Sequence, residues 1–438
     1  MGALLPTDLG RRHRGACRDA GRGRINSADA ACGVRMRLRV AILSVMTLCA
    51  TVVASMALAE PFQPTRDAEV LERLPYKASD PAMAELRAER LRLSEQPDNL
   101  RLAVRLARQY IELGRINGDP RYAGYAQAAL MPWWNLDRPP QEVRLLRATL
   151  RQRSHDFEGA LVDLDVVLRS DPRQIQARLT RATVLQVQGA YQRARDDCKT
   201  LRNLTDELIG VTCLTSVDSV SGQLDDSYRL LQRTLEQHMD SPPEIRSWVA
   251  TTLGEMAARV GRSDAAERYF REALALDPSD FYLLGAYADF LLDQNRPAEV
   301  IVLLRGKTRA DPLFLRYVLA LKAVTSPELA VKSEELRARF AASRLRGDRV
   351  HLREEARFTL HVAGDARQAL KLAEENWVMQ REVADLRILL ESAIASHDVA
   401  GLTTVNDWLR QSRLEDIQID RLRNAPAASA VNSVTYIR

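Results

Sequence analysis

Past residue 60, apolar side chains recur at i, i+3, i+4 and i+7 over stretches of about three helical turns, and short groups of Gly, Pro, Asp and Asn separate them. That spacing predicts amphipathic helices. Runs of alternating apolar residues and Val/Ile-rich strand segments are hard to find, so the chain reads as all-α. The clearest unit is Ser247 to Pro278, "SWVATTLGEMAARVGRSDAAERYFREALALDP". Leu253, Gly254 and Ala257 share one face of its first helix, which Gly261 ends by supplying a left-handed residue. The second helix starts near Asp264, carries Ala266, Phe270 and Ala273 on its inner stripe, and stops at Asp277-Pro278. Small residues let the two helices approach closely, and Phe270 fills the space between them.

This unit resembles the tetratricopeptide repeat, a 34-residue helix-turn-helix motif. Leu253, Gly254, Gly261, Ala266, Phe270, Ala273 and Pro278 stand at positions that family prefers. The register recurs at Gln141 to Pro172 with Ala148, Ala160 and Leu164, and at Ile175 to Glu207 with Ala182, Leu185, Gly189, Ala194 and Leu201. It returns at Ser279 to Pro312, and at Val350 to Arg381 with Ala356, Leu360, Gly364, Ala369 and Ala373. Weaker copies surround Leu100, Leu208 and Glu382, which makes roughly seven or eight units. The resemblance implies a right-handed superhelical solenoid in which each hairpin buries its apolar stripe only against its neighbours. Residues 60–99 are expected to cap the array, 100–312 to form its main part and 350–423 its C-terminal part. Residues 313–349 break the period and are expected to be irregular or longer helices. The tail 424–438 has no helical stripe. Trp133-Trp134, on a lengthened connection, reads as a cap over an early repeat or as a partner anchor.

The N-terminal segment follows a different grammar. Arg37 and Arg39 precede an apolar run from Val40 to Ala54, and Ala57-Leu58-Ala59 forms a small-x-small site before Glu60. Residues 36–59 therefore read as a signal peptide cleaved between Ala59 and Glu60, with a retained membrane anchor as the alternative. Residues 1–35, rich in Gly and Arg with no periodicity, read as a mis-called or disordered extension. The whole chain has a formal charge of +5, but residues 1–59 hold nine of its 63 positive side chains and only three of its 58 negative ones. The remainder is close to neutral, which removes the basic footprint expected of a nucleic-acid binder. Nor is membrane insertion expected after cleavage.

Cys17, Cys32 and Cys49 belong to the N-terminal segment, leaving Cys198 and Cys213 for a compartment that permits disulfides. They lie nearly equidistant from a turn near Asn203 to Asp206, on two antiparallel helices. A disulfide fits there, and so does a pair of buried free thiols.

Chemistry-bearing motifs do not appear. HExxH, GxSxG, a phosphate-binding Gly-rich loop and CxxC are all missing, and no two of His155, His238, His351, His361 and His397 stand at i, i+3 or i+4. No metal site, cofactor or enzymatic activity is expected. In the tetratricopeptide family the first helices of successive repeats line a concave groove that holds a peptide or protein. Carried over by register, that face presents Arg153, Gln186, Trp248, Glu255, Arg259, Tyr287, Phe290, Phe358 and His361, although Tyr287 and Phe290 also fit inter-repeat core. The Lys/Asn clamp used by the chaperone-binding version is not matched. The expected function is that of an exported bacterial adaptor or scaffold binding another protein in the periplasm, or, with the leader retained, a membrane-tethered scaffold of an envelope complex.

Overall fold

The computed structural model describes residues 80–424. The chain divides into two units, Met1–Lys77 and Ala78–Arg438, and the described residues lie in the second. The expected signal peptide, its Ala59/Glu60 cleavage site, the 1–35 extension, part of the 60–99 cap and nearly all of the tail fall outside them. Among the described residues there is no strand, and no helix is long and apolar enough to cross a membrane.

A first helix, α1 (Pro81–Glu95), is capped by Asp80, whose carboxylate accepts from the Ala82 amide. The chain then repeats one motif, the helical hairpin. The first pair is α2 (Leu100–Asn117) and α3 (Arg121–Ala129), followed by a short turn of helix, α4 (Met131–Trp134). Next come α5 (Gln141–Arg153) with α6 (Phe157–Ser170), α7 (Ile175–Val187) with α8 (Tyr191–Leu201), and α9 (Glu207–Asp218) with α10 (Leu224–Gln237). They are followed by α11 (Pro243–Arg259) with α12 (Ser263–Leu276), α13 (Phe281–Asp293) with α14 (Pro297–Leu304), and α15 (Asp311–Ala323) with α16 (Leu329–Leu345). The last pairs are α17 (Leu352–Phe358), extended by a π-helical turn over Thr359–Ala363, with α18 (Ala366–Met379), and α19 (Val383–Ser396) with α20 (Val399–Ser412). Helix α21 (Ile417–Asn424) follows.

One backbone feature marks every hairpin. The residue that reverses the chain between its two helices has positive φ: Gly118, His155, Gly189, Gly222, Gly261, Asn295, Thr325, Gly364 and His397. Glycine takes that conformation without a Cβ penalty, and Asn tolerates it. Three of the second helices then begin under an Asp cap, with Asp156, Asp365 and Asp398 accepting from the amides of Gly159, Gln368 and Gly401.

Packing follows from residue size. Ala148, Ala160, Ala177, Ala194, Ala257, Ala266 and Ala273 are fully buried where helices approach. A Cβ on Gly254 would come within 2.9 Å of the Phe270 ring, so α11 and α12 approach as closely as they do only because that position carries none. A continuous apolar core then runs from Leu208 through Leu253 and Phe270 to Ala320, spanning several hairpins. Residues 313–349, expected to be irregular or longer helices, belong to the α15/α16 hairpin, whose second helix runs for 17 residues. Phe314, Val318, Leu336 and Phe340 join it to Phe358 of α17, so the core is not interrupted there. Trp133 and Trp134 pack partly buried against the first core cluster, and Arg147 donates to the Trp134 carbonyl.

Cys198 on α8 and Cys213 on α9 are joined by a disulfide, with Cα atoms 5.3 Å apart. Both are buried. The same two helices meet tightly beside it, since a Cβ on Gly210 would lie 2.7 Å from the Arg202 Cα.

Candidate functional site

The inner stripe of each first helix can be followed by exposure. On α11 it is Trp248, Thr252, Glu255 and Arg259, all at least partly open, at helical spacing. On α13 the corresponding open residues are Tyr282, Ala286, Asp289 and Asp293, and on α17 they are Arg353 and Arg357. The expected groove residues Tyr287, Phe290, Phe358 and His361 therefore need correction. They stand on the neighbouring stripe and are buried. Tyr287 and Phe290 pack with Phe270, at ring-centroid distances of 5.5 and 5.6 Å, and Phe358 packs on Phe340 at 5.7 Å.

Most of the remaining expected residues are held within the chain. Arg153 donates to the Ile111 carbonyl at 3.1 Å, and Gln186 reaches the Ser216 carbonyl at 3.5 Å. Arg259 donates to the Ser219 carbonyl at 2.9 Å and to its hydroxyl at 2.8 Å. His361 Nε2 lies 2.8 Å from Glu391 Oε2, and Arg387 spans Glu391 and Asp293 at 2.8 Å each. Burial alone would raise the Glu391 carboxyl, but Arg387 and His361 overcome it and hold the group down at about 2. Asp289 bridges Arg316 and Arg357, while Arg353 holds Glu382 at 2.7 Å. Sequence reasoning did not single out these acids, which have partners on other helices far along the chain.

The C-terminal hairpins explain why so little of the inner face is free. They lie across the turns of earlier hairpins. Gln380 donates to His155 Nδ1 at 3.2 Å, and the Arg381 amide donates to the Val187 carbonyl at 2.7 Å. A Cβ at Gly189 would lie 2.4 Å from the Trp408 ring, one at Gly222 2.8 Å from Arg413, and one at Gly261 2.9 Å from Ile417. Arg381 covers Trp408 with its guanidinium 5.2 Å from the ring centre. His155, stacked on Phe157, is held neutral at this seam, its pKa lowered to about 4 by burial and by Arg353 against the opposing pull of Glu354 and Glu382.

The seam has a predicted acid response. A histidine whose folded pKa lies below its unfolded value of about 6.5 contributes fully above that value and loses its contribution as pH falls toward 4. Protection of the amides at Val187 to Tyr191, taken relative to the intrinsic exchange rate at each pH, should therefore fall between pH 6.5 and 4. In His155→Asn, which keeps a residue tolerant of positive φ, that acid-dependent part should vanish. An unchanged difference between pH 6.5 and 4 in the variant would assign the response to other groups.

A hairpin with small residues at its crossing, a left-handed reversal and a buried aromatic or Leu on its second helix recurs along the chain. The repeats are tetratricopeptide-like. No protein-family model and no curated protein matches the sequence. Among solved structures, this tetratricopeptide-like chain is similar to a tetratricopeptide repeat protein from Parabacteroides merdae, at 15% identity and TM-score 0.34, over 54% of this chain and 91% of that one. It is also similar to yeast Tom70, at 12% identity and TM-score 0.32, over 80% of this chain and 91% of that one. Among the described residues no group of His, Cys, Asp and Glu could hold a metal ion.

What the tetratricopeptide-like inner face leaves open is a short stretch. Trp248 is 37% exposed and Tyr282 62%, and the Tyr282 hydroxyl donates to Glu255 Oε1 at 2.7 Å. Glu255 is pushed up to about 7, first by burial and then by Glu382 and Asp289, against the Tyr282 hydrogen bond and Arg259.

Proposed function

We propose that this chain is an exported adaptor that holds a protein or peptide partner on the open stretch of its inner face, in the bacterial periplasm, and performs no catalysis. The observation that carries the reading is the exposure of Trp248 and Tyr282 on a face whose other expected contacts are internal. Large aromatic side chains left open at a surface are the types that dominate binding energy at protein interfaces. Export is supported by the leader grammar of residues 36–59 and by the Cys198–Cys213 disulfide, since such bonds persist in oxidising compartments.

Two measurements test this. Protein recovered from the periplasm should begin at Glu60 and, unfolded in denaturant, resist alkylation at Cys198 and Cys213 until reduced; an intact leader in the membrane fraction would remove the export claim. A photo-crosslinking residue at Thr252 should capture one partner in stoichiometric yield, whereas the same residue at Val302, on the exposed side of α14, should not. Equal capture at both positions would overturn the inner-face assignment.

A further inference from the structure

The charge state of the open stretch narrows what it can take. Asp289, Glu382, Asp385 and Glu391 each hold an arginine, and Arg259, one turn beyond Glu255, keeps its charge while donating to Ser219. Glu255 differs: among the described residues no cation lies within ion-pair distance of it, and the Tyr282 hydroxyl donates to its carboxylate at 2.7 Å. It is an unneutralised carboxylate flanked by two exposed aromatic rings. Trp248 lies two helical turns before it on the same stripe, about 10 Å away along α11, and Thr252 stands between them.

From this geometry we propose that Glu255, Tyr282 and Trp248 recognise an extended basic segment of the partner protein. An arginine or lysine side chain pairs with Glu255 beside the Tyr282 hydroxyl. A second side chain rests on the Trp248 indole. The proposal rests on the adaptor reading above and deepens it by naming the partner's chemistry. Three residues of extended chain span about 10 Å, which matches the distance between the two contact points. A guanidinium offers a planar donor fork to the carboxylate, and an indole face attracts a second cation or covers its aliphatic stem. An acidic segment would meet Glu255 as a like charge, with Asp289 and Glu382 also facing it, and the arginines that those two acids hold are already paired.

Glu255 also supplies a pH signature. The groups facing it are Arg259 on its own helix, Tyr282 and Asp289 on α13, and Glu382 between α18 and α19. A raised carboxyl loses its proton as pH climbs through about 7, and the cation-binding form then becomes dominant.

The probe is a fluorescein-labelled, acetylated and amidated peptide of alternating Arg and Ala, with an otherwise identical Glu/Ala peptide as comparison, followed by anisotropy on the full mature chain. The Arg peptide should bind, tighten several-fold from pH 6 to pH 8, and weaken with salt. Glu255→Gln, which keeps volume and an acceptor for Tyr282, should weaken it about tenfold and abolish the pH dependence; Trp248→Ala should weaken it several-fold. Thermal melting of each variant establishes that it is folded. Equal affinity in Glu255→Gln, preference for the Glu peptide, or no binding of the Arg peptide would each overturn the assignment. Capture of a partner at Thr252 together with failure of the Arg peptide would leave the adaptor reading standing and remove only the basic partner.

Discussion

Replacing Phe270 by alanine is expected to destabilise the array by about 3 to 5 kcal/mol, with the damage concentrated in the hairpins on either side of it. The ring is almost wholly buried, with its neighbours supplied by Gly254 on α11 and by Tyr287 and Phe290 on α13. It therefore fills the junction of three helices from two hairpins, and the cavity left by alanine cannot close by moving only one of them. Stability in such an array is approximately a sum over nearest-neighbour interfaces, so the loss should stay local. Hydrogen exchange read helix by helix, alongside urea unfolding, is the measurement to make. Protection should fall in α11 to α13 while α5 to α8 retain theirs. A uniform fall across all helices would mean that the seam made by residues 380–417 ties the repeats into one cooperative unit. Phe270→Leu, which leaves a smaller cavity, should cost less at the same site.

How far such an argument can be made from sequence depends on the range of the interactions involved. The hairpins were legible because they are local: Gly261, Ala266 and Phe270 stand at offsets that only a helix-turn-helix unit explains. The Cys198–Cys213 juxtaposition was legible for the same reason, being fixed by a turn between two adjacent helices. The groove was read less well. In α13, where Asn295 stands in the slot of the reversing glycine, Tyr287 and Phe290 were chosen one stripe away from Tyr282, Ala286 and Asp289, the open residues at the repeat offset from Trp248, Thr252 and Glu255. A slip to the adjacent stripe exchanges wall for core, since neighbouring residues lie on different sides of a helix. In α17 Phe358 holds the slot of Glu255, six residues before the reversing glycine, but the π-helical turn over Thr359–Ala363 lies between, and Arg357 is the open residue there. The seam was not legible at all. Contacts such as Trp408 on Gly189 and Arg413 beside Gly222 depend on the accumulated rotation from one repeat to the next, a sum of small angles that no local pattern states.

Loss of the Asp163 carboxylate is the other large expected effect, about 3 to 5 kcal/mol for Asp163→Ala. Asp163 is buried on α6, where Arg147 grips it with two hydrogen bonds of 2.8 and 2.6 Å and Arg151 donates a third at 2.8 Å. Arg147 is buried as well, so removing the acid strands a desolvated guanidinium, and that penalty exceeds the worth of the pair itself. Here a sequence signal existed. Arg147 and Asp163 stand 16 residues apart on the two helices of one hairpin, and Arg181 and Asp197 repeat the arrangement, also 16 apart, in the next. An Arg and an Asp recurring together at repeat spacing on facing helices mark a buried cross-hairpin tie, not a solvated face. The decisive comparison is Asp163→Leu combined with Arg147→Met, which replaces the pair by apolar side chains. If the cost of Asp163→Ala comes from the stranded charge, the double variant should recover most of the lost stability in urea unfolding, because buried pairs replaced together by well-packed apolar groups are close to neutral. If instead the double variant is as unstable as the single one, its own cost includes the hydrogen bond that Arg147 makes to the Trp134 carbonyl, which fastens the connection before α5 to the hairpin.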